Sequence, residues 1–270
     1  MKNHRLTSAL LALIGLALAA SSAGATTIAV SNGDLILGVE AASGTGSSYD
    51  YEVDLGSFQT YANATGTIDL SSLVLNSDIT GTGSSGGFGS NTNDVFSVVG
   101  TTGDGTGTGQ TIGSANTGTT FYTSTTLYTA QTGSATSTTR GEINSVGALL
   151  NGSTATTTNG VATFINISTN PQSYTTEENT GGEFFSLPVT GTALVNGGTL
   201  SLYENNAYAA FPNSGNAGTL TLLGTFSFAN GNDFKFTAAV PEPSTDALMG
   251  LGGVLLLVVL NKRRNPAVRL

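Results

Sequence analysis

The sequence predicts an all-β protein whose body is an antiparallel β-sandwich, for which a jelly roll is one arrangement. Residues 49–54 alternate apolar and acidic side chains without a break, as expected of a strand with one face toward a core. Glycine and asparagine separate such segments, and Asn230-Gly231 is a strong hairpin signal between two of them. Many short strands joined by turns of this kind are typical of a sandwich.

The same alternation can be followed along most of the chain. The predicted strands cover residues 27–30, 35–39, 49–54, 94–99, 120–127, 161–167, 183–187, 199–203, 220–228 and 234–236. One short amphipathic helix is predicted where Ile143 and Leu150 share a face, and Gly152 would end it. A helical turn is predicted at Phe58–Ala62. The glycine-rich residues 80–119 are predicted to be long loops around one strand.

The composition of the chain limits its chemistry. The formal net charge is −9, and only Arg140 and Lys235 are basic within residues 26–239, so we expect no nucleic-acid partner. There is no cysteine or tryptophan, and the single histidine is His4. Without these side chains the body cannot use Ser-His-Asp or Cys-His catalysis or a histidine-rich zinc site. We therefore expect neither an enzyme nor a cofactor.

Carboxylates are the remaining candidates for site chemistry. Asp50, Glu52 and Asp54 share one face of a predicted strand, and we expect that face to be solvated, with no metal bound. Calcium binding is the alternative, because carboxylate oxygens are its preferred ligands. A second acidic group, Glu177 and Glu178 with Glu183, is predicted to lie in a loop. Carboxylate pairs can hydrolyse glycosides, but the body has no tryptophan to stack on a sugar.

The N-terminus has the pattern of a secretory signal peptide. Lys2 and Arg5 precede an apolar run at residues 9–20, and Ala23 and Ala25 form the small-residue exit that signal peptidase accepts. We expect residues 1–25 to be removed and residues 26–239 to be exported as one secreted β-sandwich domain.

The C-terminus has three parts in a fixed order. Pro241-Glu242-Pro243 comes first, an apolar run at residues 247–260 follows, and Lys262-Arg263-Arg264 closes the pattern. We expect a short transmembrane helix, because the run covers only about 21 Å at 1.5 Å per residue. The basic cluster would stop transfer on the cytoplasmic side and leave residues 266–270 as a cytoplasmic tail.

These C-terminal residues resemble the PEP-CTERM sorting signal of Gram-negative bacteria. The resemblance covers residues 240–265. It implies that a membrane enzyme called exosortase recognises the Pro-Glu-Pro tripeptide, cuts near it, and releases or transfers the body. Residues 34–39, 53–56 and 94–100 also resemble a group of uncharacterised PEP-CTERM ectodomains, a resemblance that implies no activity.

Together these patterns predict an exported, non-catalytic surface or extracellular-matrix protein. It would be anchored transiently in the inner membrane and then reach the cell surface or matrix. The expected partners are signal peptidase and an exosortase, with exopolysaccharide as a candidate. The alternatives are a carbohydrate- or calcium-binding module at the same location, or an enzyme that uses only carboxylates.

Overall fold

A computed structural model describes twelve stretches of the chain, and these carry the fold. They are residues 26–41, 43–44, 46–74, 79, 94–102, 119–124, 133–155, 160–180, 192–193, 198–206, 219–229 and 233–240. The predictions on the two termini lie outside them, including Ala23 and Ala25, the Pro241–Pro243 tripeptide and the Lys262–Arg264 cluster. A compact unit ends at Ala238, and the following unit is described only at Ala239 and Val240. Within these stretches, no helix combines the length and the apolar character needed to cross a membrane.

The strands of the described residues form one antiparallel sheet. Nine follow the order β3-β10-β9-β8-β5-β4-β1-β2-β6, and β7 pairs with β4. Their bounds are β1 Asp34–Ala41, β2 Tyr49–Ser57, β3 Thr67–Asp69, β4 Asp94–Thr101, β5 Thr120–Ser124, β6 Ala162–Asn166, β7 Thr192–Ala193, β8 Thr199–Asn206, β9 Thr219–Ala229 and β10 Asp233–Ala238. The prediction of a mostly antiparallel β protein is confirmed. The segment at 27–30 was predicted to be a strand, but only Thr27 pairs there, with Thr154.

The sheet curls, and an aromatic core fills its concave side. Phe96 on β4 lies 4.9 Å from Phe228 on β9, measured between ring centroids, although β5 and β8 separate these strands in the sheet. Phe226, Phe234 and other rings of β9 and β10 are fully buried in the same cluster. Contacts between strands that are not neighbours therefore close the core.

The helices include α1 Phe58–Ala62, α2 Gly133–Leu150 and α3 Tyr174–Thr180, and Ile167–Thr169 forms a 3-10 turn. Tyr61 of α1 packs with Phe226 and Phe236 in the aromatic core, whereas α2 and α3 cover part of the convex side. Both predicted helices are confirmed at α1 and α2. Beyond the C-terminus of α2, Gly152 adopts a φ of +85°, a left-handed geometry that glycine reaches without strain. Ile143, Val146 and Leu150 of α2 pack with Ile36, Val99 and Tyr122 in a second apolar cluster, so this part of the sheet is buried on both faces.

The helix α3 corrects one prediction. Glu177 and Glu178 were predicted to lie in a loop, and they belong instead to this seven-residue helix. So short a helix is marginal in isolation, and its stability comes from tertiary contacts that a local sequence pattern does not reveal. Glu183 lies outside the described residues.

Candidate carboxylate site beneath a short helix

The face of β2 that carries Asp50 and Glu52 lies beneath α3. Both residues have 0 % of their surface exposed, so the prediction of a solvated face is wrong for them. Alternation along the strand does place Tyr51 and Val53 in the concave core and the acids on the opposite face, as the pattern predicted. The sequence-based prediction failed because α3, more than 120 residues further along the chain, covers that opposite face.

Tyr174, the first residue of α3, spans three strands of the sheet. Its backbone N–H donates to Glu52 Oε1 at 2.9 Å, and its hydroxyl hydrogen-bonds with Ser97 Oγ at 2.7 Å. Gly38 lies between Ser97 and Glu52 in the strand register. A Cβ added at Gly38 would lie 2.4 Å from the Tyr174 ring, so only glycine lets the ring lie against β1.

Thr175 joins two further carboxylates. Its backbone N–H donates to Asp50 Oδ2 at 2.9 Å, and its hydroxyl contacts both Asp50 Oδ1 and Glu40 Oε2, the latter at 2.6 Å. A hydroxyl has a single proton to donate. Thr175 therefore donates fully to one carboxylate, and the other contact is best satisfied when a protonated carboxyl donates to the hydroxyl oxygen.

Burial dominates the electrostatics of this site. It raises the pKa of Glu52 to about 8, and the neighbouring negative charge of Asp50 adds to that effect. Burial also raises the pKa of Asp50 to about 6, against hydrogen bonds from Thr175 that favour the ionised form. Glu52 Oε2 is buried without a hydrogen-bond partner, so an ionised Glu52 would be poorly solvated. Glu52 is therefore mostly protonated at neutral pH, whereas Asp50 loses its proton near pH 6.

A second acidic pair consists of Glu142 on α2 and Glu177 on α3. Burial and the charge of Glu177 raise the pKa of Glu142 to about 7, and burial likewise raises the pKa of Glu177. Glu142 Oε2 is also buried without a hydrogen-bond partner. The acids around α3 thus come from the sheet beneath it, from the adjacent helix and from α3 itself.

Asp54, the third residue of the predicted acidic face, belongs to different surroundings. Its Oδ1 accepts from the Gly56 backbone N–H at 2.8 Å, and burial raises its pKa to about 6 with a smaller contribution from Asp34. The three acids therefore do not converge on one point. Within the described stretches, no group of three or more His, Cys, Asp or Glu side chains is arranged to hold a metal ion.

A separate cleft lies between α2 and the start of β1, with a volume of about 290 Å³. Asn144 and Asn151 of the α2 side face Asp34 and Thr101 on the sheet side, and Gly147 lies between the two asparagines. A Cβ at Gly147 would meet its nearest neighbours at 3.5 and 3.7 Å, which are ordinary contacts. The glycine therefore leaves space for the cleft without being required by packing.

Sequence reasoning missed several residues of the carboxylate site. Glu40 lies one residue beyond the predicted strand 35–39 and belongs to β1 in the structure, where the pairing of β1 with β2 brings it near Asp50. The parts played by Tyr174, Thr175 and Ser97 carry no local signal, because each depends on contacts over 77 or more positions in the chain. The one usable signal was Gly38, a glycine inside an otherwise apolar strand, which often marks a close approach.

Comparison of the chain with protein-family models, with curated proteins and with solved structures gives no match.

Proposed function

We propose that this chain is an exported, non-catalytic surface or extracellular-matrix protein that is sorted through its C-terminus. The observation that carries the proposal is the C-terminal sequence. It contains three parts in succession, which are Pro241-Glu242-Pro243, an apolar run and Lys262-Arg263-Arg264. The signal peptide pattern at residues 1–25 supports the same location. Signal peptidase and an exosortase are the proposed processing partners, with a transient inner-membrane anchor between the two cuts.

The chemistry of the body is consistent with a structural role. Asp50 and Glu52, the carboxylates that lie together, bind the backbone of α3 and are closed to solvent. Substrate cannot reach them in this conformation, so a carboxylate-only enzyme is the least supported alternative. The curled sheet packs Phe96 against Phe228, which favours a two-layered sandwich, with a jelly roll as one form of it.

Replacement of Pro241 and Pro243 by alanine tests the sorting proposal. The two prolines fix φ and hold the tripeptide extended at little entropic cost, so the variant should be exported and anchored but not cut. A full-length precursor would accumulate in the inner membrane, visible by immunoblotting of membrane fractions. Pro266→Ala, beyond the basic cluster, is the matched control and should be processed normally. Normal processing of the double variant would contradict the proposal.

The cleft beside α2 favours carbohydrate binding as a second candidate function. Asparagine amides offer donors and acceptors that pair with sugar hydroxyls, and Asp34 adds an acceptor. The volume of about 290 Å³ is at the small end for ligand sites and suits one sugar residue better than a long chain.

Glycan-array binding by residues 26–240, with and without calcium, tests this second function. Gly147→Leu would fill the cleft and should abolish binding. Gly66→Leu is the matched control, because a side chain at Gly66 has no neighbour within 4 Å and lies outside the cleft. Binding that survives Gly147→Leu would exclude the cleft as the site.

A further inference from the structure

We propose that α3 is a pH-responsive latch, which docks on the sheet through protonated carboxyl groups and opens when those groups lose their protons. This property of the body does not depend on how the C-terminus is sorted.

The first argument is the nature of the docking contacts. The backbone N–H groups of Tyr174 and Thr175 donate to Glu52 and Asp50, and the Thr175 hydroxyl contacts Glu40 and Asp50. The Tyr174–Ser97 bond is neutral. Four hydrogen-bond contacts from Tyr174 and Thr175 therefore end on carboxyl groups.

The second argument is the sign of the surrounding charge. The groups that face α3 are Glu40 from β1, Asp50 and Glu52 from β2, and Glu142 from α2, while α3 itself carries Glu177. On this face β4 presents Ser97 and β6 presents Thr163, which are neutral. Asp34 lies at the far end of β1, and Asp54 interacts with Gly56 and Asp34, away from α3. Ionisation of the site would therefore place like charges together.

The basic side chains of the described stretches are Arg140 on α2 and Lys235 on β10. Lys235 forms an ion pair with Asp233 on β10. The charges that raise the pKa values of Asp50, Glu52 and Glu142 are all carboxylates.

The third argument is the pH range in which these carboxyl groups lose their protons. The pKa values of about 6 for Asp50, about 7 for Glu142 and about 8 for Glu52 span the range from mildly acidic to mildly alkaline. Near pH 5 these three carboxyl groups are mostly protonated. Above pH 8 they must ionise while α3 is docked, or α3 must separate from the sheet so that water can solvate them. A seven-residue helix has little intrinsic stability to oppose that separation.

Amide hydrogen exchange on the purified full chain tests the latch. Protection factors, corrected for the intrinsic pH dependence of exchange, should fall about 100-fold in Tyr174–Thr180 between pH 5.5 and pH 9. The amides of β8 and β9 should lose far less protection than those of α3 over the same range. Equal loss in both regions would indicate global unfolding, and constant protection in α3 would show that its docking does not depend on pH. Either result would overturn the proposal.

Glu52→Gln is the decisive variant. The amide keeps an acceptor oxygen for the Tyr174 N–H but cannot ionise, so most of the pH dependence of α3 protection should disappear. Glu204→Gln is the matched control and should leave the transition unchanged, because Glu204 is a half-buried acid on β8 whose pKa is also raised by burial. If Glu52→Gln does not fold, Asp50→Asn serves instead and should move the transition to lower pH, because the Asp50 charge raises the Glu52 pKa. If the pH at which α3 loses its protection is unchanged in these variants, the assignment of the pH dependence to this carboxylate site is refuted.

Discussion

Replacement of Gly38 by alanine tests the packing of Tyr174 against the sheet. The new Cβ would lie 2.4, 2.5 and 2.6 Å from three ring atoms of Tyr174, where ordinary contact begins at 3.4 Å. The ring would have to retreat by about 1 Å. That movement strains the 2.7 Å bond from its hydroxyl to Ser97 and the 2.9 Å bond from its N–H to Glu52.

The expected cost follows from these contacts. Overpacking costs about 1–3 kcal/mol, and weakening a buried hydrogen bond adds about 1–3 kcal/mol. Replacement of a glycine within a strand by alanine stabilises the fold by about 0.5–1 kcal/mol, which offsets part of this cost. We therefore expect Gly38→Ala to lower the free energy of unfolding by roughly 2–4 kcal/mol, measured by urea denaturation followed by circular dichroism.

Gly147→Ala makes the same chemical change in a place with room for it. Its Cβ would lie 3.5 Å from Ile36 and 3.7 Å from Val30, and alanine favours a helix over glycine by about 1 kcal/mol. This variant should be as stable as the parent or slightly more so. The reasoning would be refuted if the free energy of unfolding of Gly38→Ala lay within about 0.5 kcal/mol of that of the parent. It would also be refuted if the effects of Gly38→Ala and Tyr174→Ala on that free energy were additive in the double variant.

Two further predictions concern protons and metals. A carboxyl group whose pKa is higher in the folded state than in the unfolded state stabilises the fold below its unfolded pKa, and that stability is lost as the pH rises through the folded value. For Glu52, whose pKa burial raises from 4.5 to about 8, the free energy of unfolding should therefore fall as the pH rises from 4.5 until α3 separates from the sheet, and Glu52→Gln should largely remove that fall. EDTA should lower the melting temperature by less than about 10 °C, because we expect the acids to hold protons and no metal; a larger fall in calorimetry would contradict that expectation.

Alternation along the sequence predicted which residues share a strand face, so the placement of Asp50 and Glu52 on one face followed from the local sequence. Tyr51 and Val53 face the core, and Asp50 and Glu52 face the other way. Whether the second face meets water or a helix depends on a segment more than 120 residues away. Acidic side chains favour the prediction of a solvent-exposed face, so the burial of this face could not be inferred from them.

Register irregularities set a second limit. Leu220, Leu222, Phe226 and Phe228 share even positions, and one face was expected to carry them all. A bulge opposite Leu202 and Tyr203 shifts the pairing of β9, so Phe226 and Phe228 are buried while Leu222 is 46 % exposed. A one-residue shift moves side chains to the opposite face, and Gly224, a glycine inside the strand at this point, is the signal that could have indicated the bulge.

The mass of the mature protein tests the central claim most directly. Intact mass spectrometry of the protein from a host with an active exosortase should show a chain that begins near Thr26 and ends near the Pro241-Glu242-Pro243 tripeptide, without the apolar run and the basic cluster. A mature protein that still carries Leu270 would contradict the proposal that the tail is a sorting signal.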